Sequence, residues 1–269
     1  MTAHLDDVNR RAWGSEDVVD LFVGRSGPID DGEAALLERI TDEVRGRPVL
    51  DLGFGGGRTV PLLCALTDDY VGLDYVPELV AAALERFPDV VLEEGDARDL
   101  SRFADGRFAL VVFSFNGLDG LAHDDRAVVL REVQRVLEPG GLFAYSTHNL
   151  DDASRGGGFV GLGVRQVVRH PAQTLRYLPK LPAALSSYRR LRRHAEQGDG
   201  WAVAPHAAYG FSVVWHSVTL GEAVTELERA GFERVETWAR DGRPIAIRST
   251  DDSTPWFHLL ARTRQTPVN

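Results

Sequence analysis

An α/β fold, a doubly wound and mostly parallel sheet with helices on both faces, is predicted from three observations. Apolar strand-like runs alternate with helix-period segments up to about residue 149. One run, "FALVVFSF" (108–115), is nearly all apolar, as a central parallel strand covered on both faces must be. And "VLDLGFGGGRTV" (49–60) follows a short strand with four glycines in five positions, a loop that lets a ligand approach the backbone.

The elements follow in order. The first forty-odd residues read as helices. "SEDVVDLFVG" starts at Ser15 as N-cap with Val18 buried, and "DDGEAALLERITDEVRG" carries Ala34, Leu37, Ile40 and Val44 at helical spacing before Gly46 closes it. "RPVLDLG" is the first strand. "RTVPLLCAL" is a helix that tolerates Pro61 in its first turn. "YVGLD", "VVLEEGD" and "FALVVFSF" are further strands, with the helix "VPELVAAALERF" between the first two. "HDDRAVVLREVQRVLEPGG" is a helix closed by Pro139 and Gly140, and "LFAYSTHN" is the fifth strand. Residues 150–218 break the alternation. They hold the cluster "RGGGFVGLG", the helix-like pieces "GVRQVVRHPAQTLRYL" and "PAALSSYRRLRRHAE", and the loop "QGDGWAVAP". The pattern resumes with the helix "TLGEAVTELERAGF" and the strands "RVETWA" and "WFHLLART". The expected organisation is a helical cap (1–46), a ligand-binding core (47–149), a helical lid insertion (150–218) and a C-terminal completion of the sheet (219–269).

The 269 residues suffice for one large domain. A net charge of -10 argues against a general nucleic-acid binder, although Arg165, Arg169, Arg176, Arg189, Arg190, Arg192 and Arg193 make the insertion locally basic. One cysteine, Cys64, fits a reducing cytoplasm. No apolar run approaches the roughly 20 residues of a membrane span, and the N-terminus lacks a signal-peptide layout. The expected setting is cytoplasmic, as a monomer or homodimer with no membrane partner.

The glycine loop rejects two readings. A dinucleotide fingerprint needs G-x-G-x-x-G, and counted from Gly53 the third position is Arg58. A P-loop needs a lysine, and none is near. What stands is Asp51-x-Gly53-x-Gly55-x-Gly57. An acid at the strand end repels a phosphate and suits a ligand carrying an ammonium group.

"VLDLGFGGG", "VGLDYVPELV", "EGDARDL" and "LREVQRVLEPGGLFAYSTHN" together resemble, in order and spacing, the class I S-adenosylmethionine-dependent methyltransferases of the small-molecule type, over residues 47–150 and more loosely 219–262. The resemblance implies a Rossmann-like sheet of about seven strands, the last antiparallel, and S-adenosylmethionine as cofactor. It implies that Gly53, Gly55 and Gly57 pass close to the cofactor's methionine part and that Asp51 holds its amino group. Asp74 would accept from the ribose hydroxyls, Tyr75 would pack beside the adenine, and Asp96 with the Ala97 backbone would bind the adenine edge. Ser114, Phe115 and Asn116 would floor the site, with core packing the plain alternative for Phe115.

Methyl transfer asks mainly for alignment and exclusion of water, and for a base only if the acceptor must lose a proton. His148 after the fifth strand is the first candidate base and Asn116 the candidate for orienting a polar acceptor; His123, His206 and His216 come behind. No compact metal-ligand cluster is visible in the sequence, and no metal is expected. Phe159, Tyr177, Tyr188, Trp201, Tyr209, Phe211 and Trp215 are placed to wall the acceptor or to glue the lid down, and Trp13 and Phe22 to fold over the cofactor. The expected function is methylation of an oxygen or nitrogen of a small molecule, in a setting such as bacterial natural-product biosynthesis. The rivals are an RNA or protein methyltransferase docking through the basic insertion, a non-catalytic cofactor-binding partner, and an NAD-dependent oxidoreductase.

Overall fold

A computed structural model describes residues 2–152, 181–206 and 211–265. Three helices, α1 (Thr2–Trp13), α2 (Glu16–Val23) and α3 (Asp31–Val44), precede β1 (Val49–Leu52). Alternation then runs α4 (Val60–Cys64), β2 (Tyr70–Asp74), α5 (Pro77–Arg86), β3 (Leu92–Glu94), β4 (Phe108–Phe113), α6 (His123–Val136) and β5 (Leu137–His148). Within the insertion come α7 (Leu181–Leu191), β6 (Glu196–Gly198), β7 (Trp201–Pro205) and β8 (Val214–Val218), and after it α8 (Leu220–Arg229), β9 (Phe232–Ala239) and β10 (Trp256–Thr263).

Seven strands form the main sheet in the order β3-β2-β1-β4-β5-β10-β9. β10 alone runs antiparallel, and it pairs with β5 on one side and β9 on the other. The last strand is therefore inserted in the sheet rather than added at its edge. The period-2 alternation of β1 splits the core into two layers. Leu50 and Leu52 pack with Val129 and Val133 of α6 and Ala223 and Leu227 of α8. Val49 packs on the other face with Ile40 and Val44 of α3 and Leu63 of α4. Asp51 falls on that second face.

Several local expectations shift. Ser15 precedes α2 as expected, but its hydroxyl donates to the Ala12 carbonyl instead of capping the helix. On α3 the inward face is Glu33, Leu36, Ile40 and Val44, so Ala34 and Leu37 lie at its margin, half-buried. Pro139 and Gly140 do not close α6: it ends at Val136, and Leu137 already pairs with Phe108. Pro139 is tolerated near the start of β5, where the β4 register shifts and Gly140 takes φ +80.

The described part of the insertion is only partly helical. "PAALSSYRRLRRHAE" forms α7, but "QGDGWAVAP" is a hairpin, β6 and β7, closed by the two-residue loop Asp199-Gly200 with Gly200 at φ +75. β7 pairs with β8, which gives a three-stranded antiparallel sheet. "RGGGFVGLG" and "GVRQVVRHPAQTLRYL", with Phe159, Arg165, Arg169, Arg176, Tyr177 and also Tyr209, lie outside the described residues. No helix among the described residues is long and apolar enough to cross a membrane.

Candidate active site

The glycine loop leaves β1 with Gly53, Gly55 and Gly57 at φ +64, +58 and +84, conformations that side chains adopt only under strain. The loop is also wedged in place. A Cβ on Gly53 would stand 2.7 Å from the Phe113 ring, and one on Gly56 2.6 Å from the Phe22 backbone. Its register is tied to β2: the Gly55 N–H donates to Asp74 Oδ2 at 2.8 Å, while Asp74 Oδ1 accepts the Val76 N–H at 2.9 Å. Burial pushes the Asp74 carboxyl up to about 6 against the pull of these backbone donors.

A cleft runs along the carboxyl ends of β1 to β4, where open parallel sheets bind ligands. Gly53, Gly55, Asp74, Tyr75, Asp96, Ala97, Ser114, Phe115 and Asn116 all line it. So do Trp13 and Phe22, which bring α1 and α2 across its mouth. Trp13 stacks on Trp215 with ring centres 5.9 Å apart, and Phe22 leans on Phe115 at 5.7 Å.

Two residues expected in the site stand behind its wall. Gly57 faces Phe87, whose ring would be 2.5 Å from an added Cβ. Asp51 is buried under Thr59, which does line the cleft. Asp51 Oδ2 accepts from Thr59 Oγ1 at 2.5 Å and from the Tyr70 hydroxyl at 2.9 Å. Its Oδ1 has no partner among the described residues, and burial pushes the carboxyl up to about 7. An unpartnered buried carboxylate oxygen behind a strained glycine loop fits a ligand with an ammonium end.

At the end of β3, Asp96 holds the Arg98 backbone N–H at 2.8 Å and its guanidinium at 2.5 Å; Arg98 continues to Asp125 at 2.9 Å. Burial would raise the Asp96 carboxyl, but the Arg98 contacts outweigh it and hold it below its usual value. Asp99 accepts the Ser101 N–H in a turn and takes no part in the cleft.

A third charged group in the wall was missed in the sequence. Arg58 reaches back to Glu33 of α3 with a forked pair at 2.6 and 2.8 Å and donates to Ser114 Oγ at 2.6 Å; Ser114 also bonds Glu33. The Ser114 hydroxyl is thus engaged with protein.

At the ends of β4 and β5, Asn116 and His148 meet. Phe115 and Asn116 both adopt left-handed backbone, φ +53 and +59. Asn116 Nδ2 lies 3.4 Å from His148 Nε2, and His148 Nδ1 lies 2.7 Å from Asp119 Oδ2. Asp119, fully buried, also accepts from Thr147 Oγ1 at 2.6 Å and from Arg126 at 2.8 Å; Arg126 in turn pairs with Glu226 at 2.8 Å. Sequence reasoning named His148 and Asn116 but not Asp119, which sits 29 residues away on a short turn. His206 packs on the His148 ring at 5.2 Å and Trp215 at 4.4 Å.

The structure also brings together a cluster not seen in the sequence: His123, His216 and Glu226, with ligand atoms within 4.8 Å of one another. His123 Nδ1 and His216 Nε2 stand 3.1 Å apart, a distance they span as a hydrogen-bonded pair, and Glu226 is engaged by Arg126. Of the insertion's aromatics, Trp215 lines the cleft, Trp201 stacks on His123 at 3.7 Å, and Tyr188 packs on Phe211 at 5.4 Å. Arg189, Arg190, Arg192 and Arg193 are exposed.

Residues 49–141 match a family described as a methyltransferase domain. A probable S-adenosylmethionine-dependent methyltransferase of Mycolicibacterium smegmatis is 34% identical over 42% of this chain and 43% of its own length. A trans-aconitate 2-methyltransferase of Methylobacterium nodulans is 31% identical over 64% of this chain and 61% of its own. The chain spans about half the length of the first curated relatives it matches. Among solved structures, a Burkholderia thailandensis 1,6-didemethyltoxoflavin N1-methyltransferase, with that compound and S-adenosylhomocysteine bound, superposes at TM-score 0.62 and 14% identity over 98% of this chain and 91% of its own. The CcbJ methyltransferase of Streptomyces caelestis superposes at 0.58 and 20% identity over 92% and 96%. Residues 49–141 thus match the methyltransferase-domain family, and the fold is that of S-adenosylmethionine-dependent methyltransferases of known structure.

Proposed function

We propose that the protein transfers a methyl group from S-adenosylmethionine to an oxygen or nitrogen of a small molecule. One observation carries this reading: the strained glycine loop, Asp74 and Asp96 stand at the ends of three adjacent strands on one cleft. In this reading Gly53 and Gly55 offer backbone to the methionine part, Asp51 supplies counter-charge for the ammonium from behind Thr59, and Asp74 accepts from the ribose hydroxyls. Asp96, Ala97 and Tyr75 take the adenine. When bound, the cofactor supplies a methyl carbon on a cationic sulfur that leaves as a neutral thioether.

The chain's own residues then have two tasks. The aromatic wall of Trp13, Phe22, Phe115 and Trp215 keeps water from the reacting atoms and favours a flat apolar acceptor. Asn116, at the floor of the cleft, aligns the acceptor's polar atom. Residues 150–218 act as the acceptor-recognising insertion, with Trp215 its contribution to the cleft among the described residues. The structural neighbour of Burkholderia thailandensis, a 1,6-didemethyltoxoflavin N1-methyltransferase solved with that compound, supports a small acceptor.

Calorimetry with S-adenosylhomocysteine and with NAD tests the assignment. S-adenosylhomocysteine is expected to bind and NAD not to; binding of NAD alone would overturn the reading.

A further inference from the structure

Asn9 is fully buried on α1, although Arg10 and Arg11 beside it are exposed. Its Nδ2 donates to the Gly120 carbonyl at 2.7 Å and to the Val214 carbonyl at 2.9 Å, and its Oδ1 accepts the Val214 N–H at 3.0 Å. The partners settle which end of the amide is which, because two carbonyls need donors and an N–H needs an acceptor. The side chain therefore bonds both backbone groups of Val214, as a neighbouring strand would. A buried amide matched on every side fixes one register between helix and strand, which an apolar residue would leave open.

Three walls of the cleft meet at this residue. α1 carries Trp13 one turn further on, the turn Gly117–Gly120 carries Gly120 itself, and β8 carries Trp215 next to Val214; all three line the cleft. Val8, one residue before Asn9, packs against buried Leu191, Val203 and Val214 of the insertion, and Trp13 stacks on Trp215. Towards β3, α1 is held lightly. Arg10 pairs with Glu94 at 2.7 Å, but both side chains are about half exposed, and such pairs contribute little. Trp13 meets Phe22 edge-on, with ring centres 5.8 Å apart. Glu94 stands two residues before Asp96, so the light contact lies at the end of the cleft assigned to the cofactor.

We propose that Asn9 is a positioning residue that couples the two ends of the cleft. α1 opens on its Glu94 side, pivots on Asn9 and closes over the bound cofactor. Through Asn9 that closure draws Gly120 and β8 into register and completes the Trp215 wall that the acceptor meets. The cofactor therefore binds first and the acceptor second. The proposal rests on the methyltransferase reading. The order suits the chemistry, since an acceptor wall completed only on the loaded protein shuts water out around both reactants together.

Amide hydrogen exchange, read by mass spectrometry with and without saturating S-adenosylhomocysteine, tests the coupling. In the wild-type protein the ligand is expected to slow exchange in α1 and, by roughly tenfold, in β7 and β8, of whose described residues Trp215 alone lines the cleft. Asn9→Ala is expected to keep the slowing around the glycine loop and to lose it in β7 and β8. An Asn9 that only holds the fold together would raise exchange in β7 and β8 equally with and without ligand. An Asn9→Ala protein whose ligand-induced difference in β7 and β8 stays intact therefore overturns the proposal. Wild-type protein in which the ligand leaves β7 and β8 unchanged overturns it too, and needs no variant. Asn9→Ser, which retains a side-chain oxygen, replaces Asn9→Ala should that variant not fold, with the same outcomes deciding. A wild-type protein that does not bind S-adenosylhomocysteine overturns the methyltransferase reading instead.

Discussion

Arg58 and Glu33 meet fork to fork in the wall of the cleft, their paired contacts at 2.6 and 2.8 Å and both side chains almost wholly buried. Arg58 occupies the position where a dinucleotide fingerprint has its third glycine, and it uses that position to clamp the glycine loop to α3. Removing one partner strands the other as a buried charge, so Arg58→Met is expected to destabilise the fold by roughly 3–5 kcal/mol. Arg58→Met with Glu33→Leu should recover most of that loss, which denaturant unfolding at pH 7 would read.

The same pair sets an acid limit. Burial alone would raise the Glu33 carboxyl, but Arg58 outweighs it and the carboxyl lies below its usual 4.5. A depressed carboxylate contributes stability above the unfolded value and loses it as pH falls through the folded one. Wild-type stability should therefore drop below about pH 4.5, and Glu33→Gln should show a shallower drop across that window.

Asp51 has the opposite sign. Its carboxyl is raised from 3.8 to about 7, so its contribution is fully present below 3.8 and is lost as pH rises through about 7. Asp51→Asn keeps acceptors for Thr59 and Tyr70 and removes the cost of ionising. At pH 8 the ligand-free variant is expected to be more stable than wild type by on the order of 1–3 kcal/mol, with the gain vanishing near pH 4. In the proposed function its affinity for S-adenosylhomocysteine should also fall, because the ammonium would lose its counter-charge. Equal stability at pH 8 would mean that Asp51 ionises without penalty.

What the sequence carried and what it did not follows from chain distance. Asp74, Asp96 and the three glycines are strand-end features, and a motif of ten residues is enough to place them on the rim of a parallel sheet. The Asp199-Gly200 turn was equally local, but its flanking strands are short and it was passed over as a loop. Glu33 is 25 residues from Arg58, and Arg126 is 100 from Glu226. Those partners are chosen by how α3, α6 and α8 pack on the sheet, which no window of sequence displays. His123 and His216 converge for the same reason across 93 residues.

Gly53 and Gly57 separate two demands on one loop. Both need positive φ, and both face an aromatic ring at 2.7 and 2.5 Å from an added Cβ. Gly53→Ala and Gly57→Ala should each cost roughly 1–3 kcal/mol from strain and overpacking. Only Gly53 lines the cleft, so Gly53→Ala should also abolish S-adenosylhomocysteine binding, while Gly57→Ala should keep measurable affinity at low temperature.

Asp74 ties the glycine loop to β2 and, in the proposed function, takes the ribose, so its substitution tests both at once. Its two oxygens accept the Gly55 and Val76 N–H groups, and an ionised carboxylate has lone pairs left for two ribose hydroxyls. Asp74→Asn turns one oxygen into a donor, which must face either a backbone N–H or the ribose. Affinity for S-adenosylhomocysteine is expected to fall about 10- to 100-fold, the worth of one or two bonds to a charged acceptor. Burial has raised this carboxyl to about 6, so wild-type affinity should weaken as pH falls through that value, because the protonated form gives up accepting capacity. Asp51, near 7, adds its own step; the contribution of Asp74 is the part of the pH dependence that Asp74→Asn removes and Asp51→Asn leaves in place. Calorimetry at pH 8, 7, 6 and 5 on the three proteins separates the two, and a wild-type affinity that stays flat across the series would take both carboxylates out of the binding site.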